Sequence, residues 1–296
     1  MANVQQYVTG STPAALASVF GANRDGTASA DSSRGLLITV MGEHVLPAGG
    51  AAWTQTLITI MEMFGVQAKA TRQALARMEK QDWLKRDRVG RRTRWMLTDP
   101  FAELLEEGAE RIYGFAADQR IWDRRWLVVS VSVPEGDRNI RYRMSLGLNW
   151  AGFGSLGHGL WINPWLEREP DVVDVLQRLG VDGVTFRAEL GQLGSGRELA
   201  ERAWDLPNLH RRYVDFLEVA QQLDEAQAEA GPVAARLVAL VHRWRRFPFL
   251  DPDLPDELLP ADWPGPEAAR RFAQLRAAWR PDARTWWAEL DADFGT

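Results

Sequence analysis

The 296-residue chain contains no cysteine, which excludes disulfide bonds, thiolate catalysis and cysteine-ligated metal sites. Histidine is scarce, and none of its four positions has a second histidine or a carboxylate at metal-ligand spacing. No apolar run approaches the roughly 20 residues that cross a bilayer. We therefore predict no metal, no cofactor and no membrane partner. The histidines are His44, His158, His210 and His242.

A secretion signal is also missing, because residues 1–33 are rich in small and polar side chains and lack a cationic start. We expect a cytoplasmic protein whose first 33 residues form a flexible tail. The hydrophobic content is 46% and includes 14 tryptophans, enough for several cores. The chain is long for one domain, so we expect two or three.

Three helices are predicted near the N-terminus, over residues 34–46, 52–64 and 67–81. Each has apolar side chains at spacings of three and four. The third helix places one buried stripe opposite a face of long cationic side chains. The stripe consists of Thr71, Ala74, Leu75 and Met78.

A β-hairpin is predicted directly after the third helix. Residues 84–87 and 91–97 have strand-like composition, and Val89 and Gly90 lie between them as a turn. Helix, helix, turn, helix and hairpin follow one another in the order of a winged helix-turn-helix. This order predicts a DNA-binding domain over residues 34–115, including a connecting helix that begins near Asp99.

Positive charge is concentrated in this region. Residues 67–94 contain ten Lys and Arg against three Asp and Glu, a net charge of +7 in a chain whose net charge is −5. The remaining residues therefore sum to −12. Phosphate neutralisation explains such a cationic island, and Arg or Gln on an inserted helix can contact base edges. The predicted DNA-binding residues are Lys69, Arg72, Gln73, Arg77, Lys80, Arg88, Arg91, Arg92 and Arg94.

The middle of the chain alternates between strand and helix patterns. Strands are predicted at residues 126–133, 160–162 and 184–190, with helices at 137–148 and 167–179 between them. This alternation predicts a small ferredoxin-like α/β domain over residues 116–193, a type of domain that commonly mediates self-association.

A glycine-rich stretch, GFGSLGHG at residues 152–159, satisfies the dinucleotide-binding pattern G-x-G-x-x-G. That pattern needs a strand before it and a helix after it, and here a helical pattern precedes and a strand follows. We therefore predict a turn. The nucleophile pattern G-x-S-x-G is also absent, because Phe153 stands where its first glycine belongs.

The remaining residues, 194–296, predict a helical C-terminal domain interrupted by a proline-rich connector at residues 245–265. The connector cannot be helical at its prolines. Its apolar side chains favour an ordered, extended segment. The whole chain is thus predicted to be a multidomain α+β protein.

The connector carries the most specific part of a family resemblance. The chain resembles the PaaX family of bacterial transcriptional repressors over about residues 34–290. The motifs that carry the resemblance are RGLL at 34–37, FG at 64–65, VGRR at 89–92, RIYGF at 111–115, SVPE at 132–135, GLWI at 159–162, RAWDL at 202–206, and RRFPFLDPDLP through LLPADWPG at 245–265.

This resemblance implies a winged-helix head, a central domain similar to the small nuclease of CRISPR adaptation, and a helical C-terminal domain. It also implies a homodimer on a palindromic, double-stranded operator, released by an aryl-acyl-CoA such as phenylacetyl-CoA. The chain departs from the family pattern at Gln67, where Ser or Thr is usual, at Thr71, where an aliphatic is usual, and at Arg243, where an acidic residue is usual.

The effector contacts suggested by the sequence are His242, Arg243, Trp244, Arg245 and Arg246, which offer cations for CoA phosphates and an aromatic ring for stacking. The alternative is that Arg245 and Arg246 bind the acidic residues of the connector.

Two other functions remain open. The central domain could be a metal-dependent nuclease, although Ser130 and Ser132 stand where that class would place an aspartate, with Glu135 and Asp137 just beyond. The chain could also be an interaction protein that does not bind DNA. The interpretation we favour has no catalytic residues.

Overall fold

The computed structural model describes residues 30–116, 120–133, 137–226 and 231–295. Nearly all of the tail predicted at residues 1–33 lies outside these ranges. The chain forms two compact units whose sequences alternate. The first unit comprises Met1–Gly114, Asp215–Arg245 and Ala268–Thr296, and the second comprises Phe115–Val214 and Arg246–Glu267. Helices and two antiparallel sheets make the fold mixed α+β.

The first unit begins with three helices and a small sheet. Its elements are α1 (Ala30–Val40), a π-helical turn (Met41–Val45), β1 (Ala51–Trp53), α2 (Thr54–Glu62), α3 (Ala68–Lys80), β2 (Leu84–Val89), β3 (Arg92–Leu97) and α4 (Asp99–Gly114). The strand order is β1-β3-β2, and both pairings are antiparallel. The three predicted helices and the hairpin are therefore present.

The start of the second helix was predicted wrongly. Residues 51–53 form β1 instead, with Ala52 opposite Trp95, and the helix begins at Thr54. Three residues are too few to show the two-residue alternation of a strand. Pairing with β3, more than 40 residues later in the chain, decides their conformation.

The second unit contains the larger sheet. Its elements are β4 (Arg125–Val131), α5 (Arg138–Trp150), β5 (Gly154–Gly157), β6 (Leu160–Asn163), a 3₁₀ turn (Leu166–Arg168), α6 (Glu169–Leu179) and β7 (Gly183–Glu189). The strand order is β5-β6-β4-β7, with antiparallel neighbours. Leu127, Val129 and Val131 of β4 pack with Met144 and Val172 of the two helices in one core.

Strand β5 was not predicted, because the glycine-rich stretch was interpreted entirely as a turn. Within this stretch, β5 pairs with β6, and the chain then reverses direction through Gly157, His158 and Gly159, which all have positive φ. Gly159 has φ +77°, and a Cβ there would lie 2.1 Å from the carbonyl oxygen of Val131, so only glycine fits. Close approach to β4 therefore explains this glycine without a nucleotide.

The connector is ordered, as predicted, but the expectation that it is not helical at its prolines is wrong at Pro248. This residue lies in the first turn of a one-turn helix, where proline is tolerated because its missing N–H would have no intrahelical partner. After α7 (Gly196–Ala203) and α8 (Leu206–Glu225), the chain returns to the second unit through a helical turn (Phe247–Leu250) and a 3₁₀ turn (Asp256–Leu258). Leu254, Leu258 and Leu259 are buried in one cluster with Trp126 and Ile162.

Two further helices, α9 (Val233–Trp244) and α10 (Gly265–Gly295), complete the chain, and most of α10 belongs to the first unit. The ring of Trp244 lies 4.7 Å from that of Phe272 and 5.3 Å from that of Phe216, and its indole nitrogen donates to the carbonyl of Ile112. None of the described helices is both long and apolar enough to span a membrane.

Candidate nucleic-acid interface

Helix α3 is held by its predicted apolar stripe. Thr71, Ala74, Leu75 and Met78 are all buried, and α3 packs against α1 and α2. The N-cap of α3 is Gln67, whose side chain makes no capping hydrogen bond. The helix is therefore positioned by packing of one face, which leaves the opposite face to solvent.

That opposite face is cationic. Lys69, Arg72, Gln73, Arg77 and Lys80 are all exposed. Within the described residues, the four cations among them make no hydrogen bond or ion pair. Because a solvated cation with no internal partner contributes little to folding, these side chains are available to an external anion.

The hairpin adds further cations beside α3. Gly90 has φ +62° in its turn, and Arg88 and Val89 lie opposite Thr93 and Arg92. Arg88, Arg91 and Arg92 are exposed. Arg92 donates from Nη1 to the carbonyl oxygen of Phe294, 3.2 Å away at the end of α10.

Arg94 differs from the other predicted DNA contacts. It is only partly exposed, and its guanidinium carbon lies 5.8 Å from the centre of the Trp53 ring. Arg86, which was not predicted as a contact, pairs with Glu79 at 2.5 Å. An arginine on the hairpin is therefore not necessarily available to an external anion.

A groove of about 410 Å³ brings the two cationic elements together. Arg72 of α3 and both Arg91 and Arg92 of the hairpin line it, with Gln55 of α2 and with Phe294 and one carboxylate, Asp293, of α10. Cations from two elements around one open groove suit an extended polyanion, whose phosphates are spaced along a strand.

The end of α10 also supports α2, which sequence analysis missed. One carboxylate oxygen of Asp291, Oδ1, accepts hydrogen bonds from the backbone N–H of Trp53 at 3.0 Å and from Oγ1 of Thr56 at 2.6 Å. Trp53 is the N-cap residue of α2, and its own side chain makes no capping bond. Asp291 therefore supplies a capping carboxylate from 238 residues away.

A second polar cluster lies where the π-helical turn follows α1. Glu43 is 4% exposed and accepts a hydrogen bond from the Tyr113 hydroxyl; Nη2 of Arg276 lies 3.4 Å from the same carboxylate oxygen. Burial raises the pKa of Glu43, and Arg276 opposes that rise. The Arg276 guanidinium also lies 3.5 Å from the Tyr113 ring centre.

The next residue, His44, is buried as well. Its ring stacks on Trp287 at 5.0 Å, and Nε2 lies 3.2 Å from the carbonyl oxygen of Ala234. Burial lowers the pKa of His44 to about 4. It is thus a neutral core histidine at ordinary pH.

The predicted effector residues are in different environments. Trp244 is 1% exposed and enclosed by rings, so it offers no open face for ligand stacking. Nδ1 of His242 lies 3.0 Å from Oγ1 of Thr39, and Arg246 is exposed. In the connector, Asp253 pairs with Arg120. The effector role of residues 242–246 stays a prediction.

For the nuclease alternative, Ser130 lies exposed on β4 where that enzyme class would use an aspartate. Among the residues that the structure describes, no group of three His, Asp or Glu side chains could hold a metal ion.

One face of α3 and the hairpin thus present cations around one groove. Three family models match the chain: PaaX-like protein at residues 32–101, PaaX protein central Cas2-like domain at 119–200, and PaaX-like protein C-terminal domain at 204–289. The transcriptional repressor PaaX of Escherichia coli (strain K12) is 31% identical over 246 residues, which are 79% of this chain and 76% of that protein.

The chain therefore belongs to the PaaX-like family, as its motifs predicted. It is also similar to the solved structure of the uncharacterized protein Rv0674 from Mycobacterium tuberculosis. The identity is 25% and the TM-score is 0.52, over 84% of this chain and 97% of the other.

Proposed function

We propose that the protein is a transcriptional repressor in which residues 34–115 form a winged helix-turn-helix that binds double-stranded DNA. The observation that carries the proposal is a set of exposed cations on α3 and the hairpin that have no carboxylate partner in the described chain. Three of them, Arg72, Arg91 and Arg92, line one groove. The relative in Escherichia coli is a transcriptional repressor. Helix α3 would enter the major groove, and the hairpin would contact the backbone or minor groove.

Within this proposal the nine predicted residues have different roles. Lys69, Arg72, Gln73 and Arg77 face the bases, and Lys80, Arg88, Arg91 and Arg92 neutralise phosphates. Arg94 supports the hairpin through Trp53. The groove beside Arg72 and Arg91 would receive one DNA strand.

The protein would act as a homodimer on a palindromic operator, with its two recognition helices about 34 Å apart. The second unit supports self-association. The order of its strands and helices along the chain, β4-α5-β5-β6-α6-β7, supports a ferredoxin-like domain. Edge strand β7 exposes Val184 and Phe186, at 55% and 54%, on the same side of the sheet. Pairing of two copies there would cover both side chains.

Release from the operator is assigned to an aryl-acyl-CoA, for which phenylacetyl-CoA is the first candidate. Affinity for DNA from the promoter beside the gene is measured by fluorescence anisotropy as salt is raised, and then as acyl-CoA thioesters are added. Tight, salt-sensitive binding that one thioester reverses supports the proposal and identifies the effector.

Three outcomes contradict parts of the proposal. Binding that no thioester disturbs keeps the DNA role and removes the effector. Absence of binding at low salt overturns the repressor function and favours an interaction protein. A monomer by light scattering, both with and without DNA, would contradict the dimer.

A further inference from the structure

Three arginines recur every four residues on one side of α10: Arg276, Arg280 and Arg284. Residues spaced by four lie about one helical turn apart, so their guanidinium groups are neighbours. Partial burial lowers the pKa of Arg280, and the positive charges of Arg276 and Arg284 lower it further, while Glu43 acts in the opposite direction. The row thus carries three positive charges beside one carboxylate.

Glu43 neither neutralises the three arginines nor completes their hydrogen bonds. Its Oε1 accepts from Tyr113 and lies 3.4 Å from Arg276, but its buried Oε2 has no hydrogen-bond partner among the described residues. The buried Nε of Arg276 likewise has none in the described chain. An ion pair with a long contact and two unsatisfied buried atoms is poorly compensated for its loss of hydration. A stronger anion can therefore displace Glu43 from Arg276.

The other two arginines are open to such an anion. Arg280 is half-buried and Arg284 is exposed, and neither makes a hydrogen bond or ion pair to a described residue. Guanidinium groups form paired, charge-assisted hydrogen bonds with phosphate oxygens. Three such groups along one helix face match a ligand with more than one phosphate.

We propose that Arg276, Arg280 and Arg284 bind the phosphate groups of a small ligand, which competes with Glu43 for Arg276. The inference rests on the proposed function, in which those phosphates belong to the CoA part of the effector. It places them on α10, on side chains other than those of residues 242–246. Arg284 precedes Phe294 by ten residues, about 15 Å along the helix, so the row is separate from the hairpin contact.

The competition has a direct path to the DNA-binding surface. Glu43 belongs to the turn that continues α1, and α1 packs against α3. When Glu43 separates from Arg276, one contact between α10 and the π-helical turn that continues α1 is lost. A ligand that binds better when this contact is broken shifts the protein towards the state without the contact. If DNA prefers the state with the contact, ligand and DNA each lower the affinity of the other.

The test measures binding of phenylacetyl-CoA, coenzyme A and inorganic pyrophosphate to the full chain by titration calorimetry. The variant Arg280→Ala/Arg284→Ala leaves the partly buried Arg276 in place and is expected to bind each phosphate ligand at least tenfold more weakly. Arg270→Ala removes an exposed charge from the same helix and is expected to change affinity less than twofold. Both variants are expected to bind promoter DNA within threefold of the parent when no ligand is present.

A second variant tests the competition. Glu43→Gln keeps an oxygen for the Tyr113 hydroxyl but removes the negative charge that holds Arg276, so phosphate ligands are expected to bind at least threefold more tightly. Weaker binding by this variant, with an unchanged melting temperature, overturns the competition.

The remaining outcomes separate this inference from the repressor function. If the parent protein binds none of the three probes, or if the double arginine variant binds them as the parent does, the site is overturned. If the double variant loses promoter binding without ligand and keeps its affinity for the probes, the row contacts DNA and the inference fails. If pyrophosphate and coenzyme A bind but no thioester releases DNA, the phosphate site is supported and the proposed effector is contradicted.

Discussion

The two sheets use arginine in opposite ways. In the strands of the larger sheet there are two arginines, and both pair with carboxylates: Arg125 with Asp123 at 2.6 Å and Arg187 with Glu169 at 2.8 Å. The strands of the smaller sheet contain five cations, and within the described structure only Arg86 has a carboxylate partner. The other four are Lys85, Arg88, Arg92 and Arg94.

In the proposed function, this difference separates cations that serve the fold, which include Arg94 over Trp53, from exposed cations that would serve a partner. A paired arginine at the surface contributes modestly to stability and presents little net charge. A row of unpaired cations is tolerated because it is solvated, and it attracts an external polyanion. Charge counts along the sequence do not make this distinction, because a carboxylate partner can lie far away in the chain. Glu169 precedes Arg187 by 18 residues and is on another element.

The largest expected effect comes from removing both unpaired arginines at the centre of α3. Arg72→Ala/Arg77→Ala is expected to weaken binding to the promoter fragment by about a hundredfold or more, because removing each base or phosphate interaction costs about 1 to 3 kcal/mol. Arg125→Ala/Arg187→Ala removes the same charge from the larger sheet and is expected to leave affinity unchanged. Fluorescence anisotropy measures both. Equal weakening in the two variants would mean that net charge alone drives binding.

Sequence analysis predicted the local parts of this surface and missed its long-range supports. The stripe from Thr71 to Met78 identified both faces of α3, because one helix carries the whole pattern. Strand β1 was missed because Ala51–Trp53 depends on β3. Asp291 and Arg276 were missed for a related reason: their partners, Trp53 and Glu43, lie more than 200 residues away.

The predicted DNA-binding residues show the same limit. The sequence predicts the same DNA-contacting role for Arg94 and Arg91 because both lie in the basic hairpin. In the structure, Arg94 packs over Trp53, whereas Arg91 is exposed at the turn. Trp244 is an aromatic residue flanked by arginines in the sequence, which predicts a ligand contact. In the structure, however, its ring is enclosed by Phe216 and Phe272. Neighbours in sequence are thus a poor guide to which side chains a site contains.

The next effect concerns the support of the smaller sheet. Asp291→Ala removes the carboxylate that caps α2 through Trp53 and Thr56, and it is expected to lower the free energy of unfolding by about 1 to 2 kcal/mol. Thermal and urea unfolding measure the change. Asp291→Asn keeps an acceptor oxygen and is expected to recover half of the loss or more. Glu289→Ala, at an exposed site on the same helix, is the control. An unchanged stability of Asp291→Ala would show that solvent caps α2 equally well.

A smaller effect separates the hairpin from α3. Arg91→Ala is expected to weaken operator and unrelated DNA alike, by about three- to tenfold, and to reduce the slope of log affinity against log salt by about one. Arg77→Ala is expected to lose affinity mainly for the operator, because its contact is to bases. Anisotropy titrations at four salt concentrations on both DNAs distinguish the two. The division between hairpin and helix fails if both variants show the same sequence dependence.

The smallest effect tests the paired arginines of the larger sheet. Hydrogen bonds from Thr185 and then Arg187 hold the pKa of Glu169 below its usual value of 4.5. A lowered carboxyl pKa stabilises the fold above the unfolded value, and this contribution is lost as pH falls through the folded pKa. Arg187→Ala is therefore expected to melt slightly below the parent at pH 7, and the two curves are expected to converge as the pH falls through the lowered pKa of Glu169. Because the pair is exposed, the difference should also shrink in high salt. A melting difference that persists at low pH would assign the role of Arg187 to packing of its aliphatic stem on the sheet, and charge pairing would no longer explain how the two sheets differ.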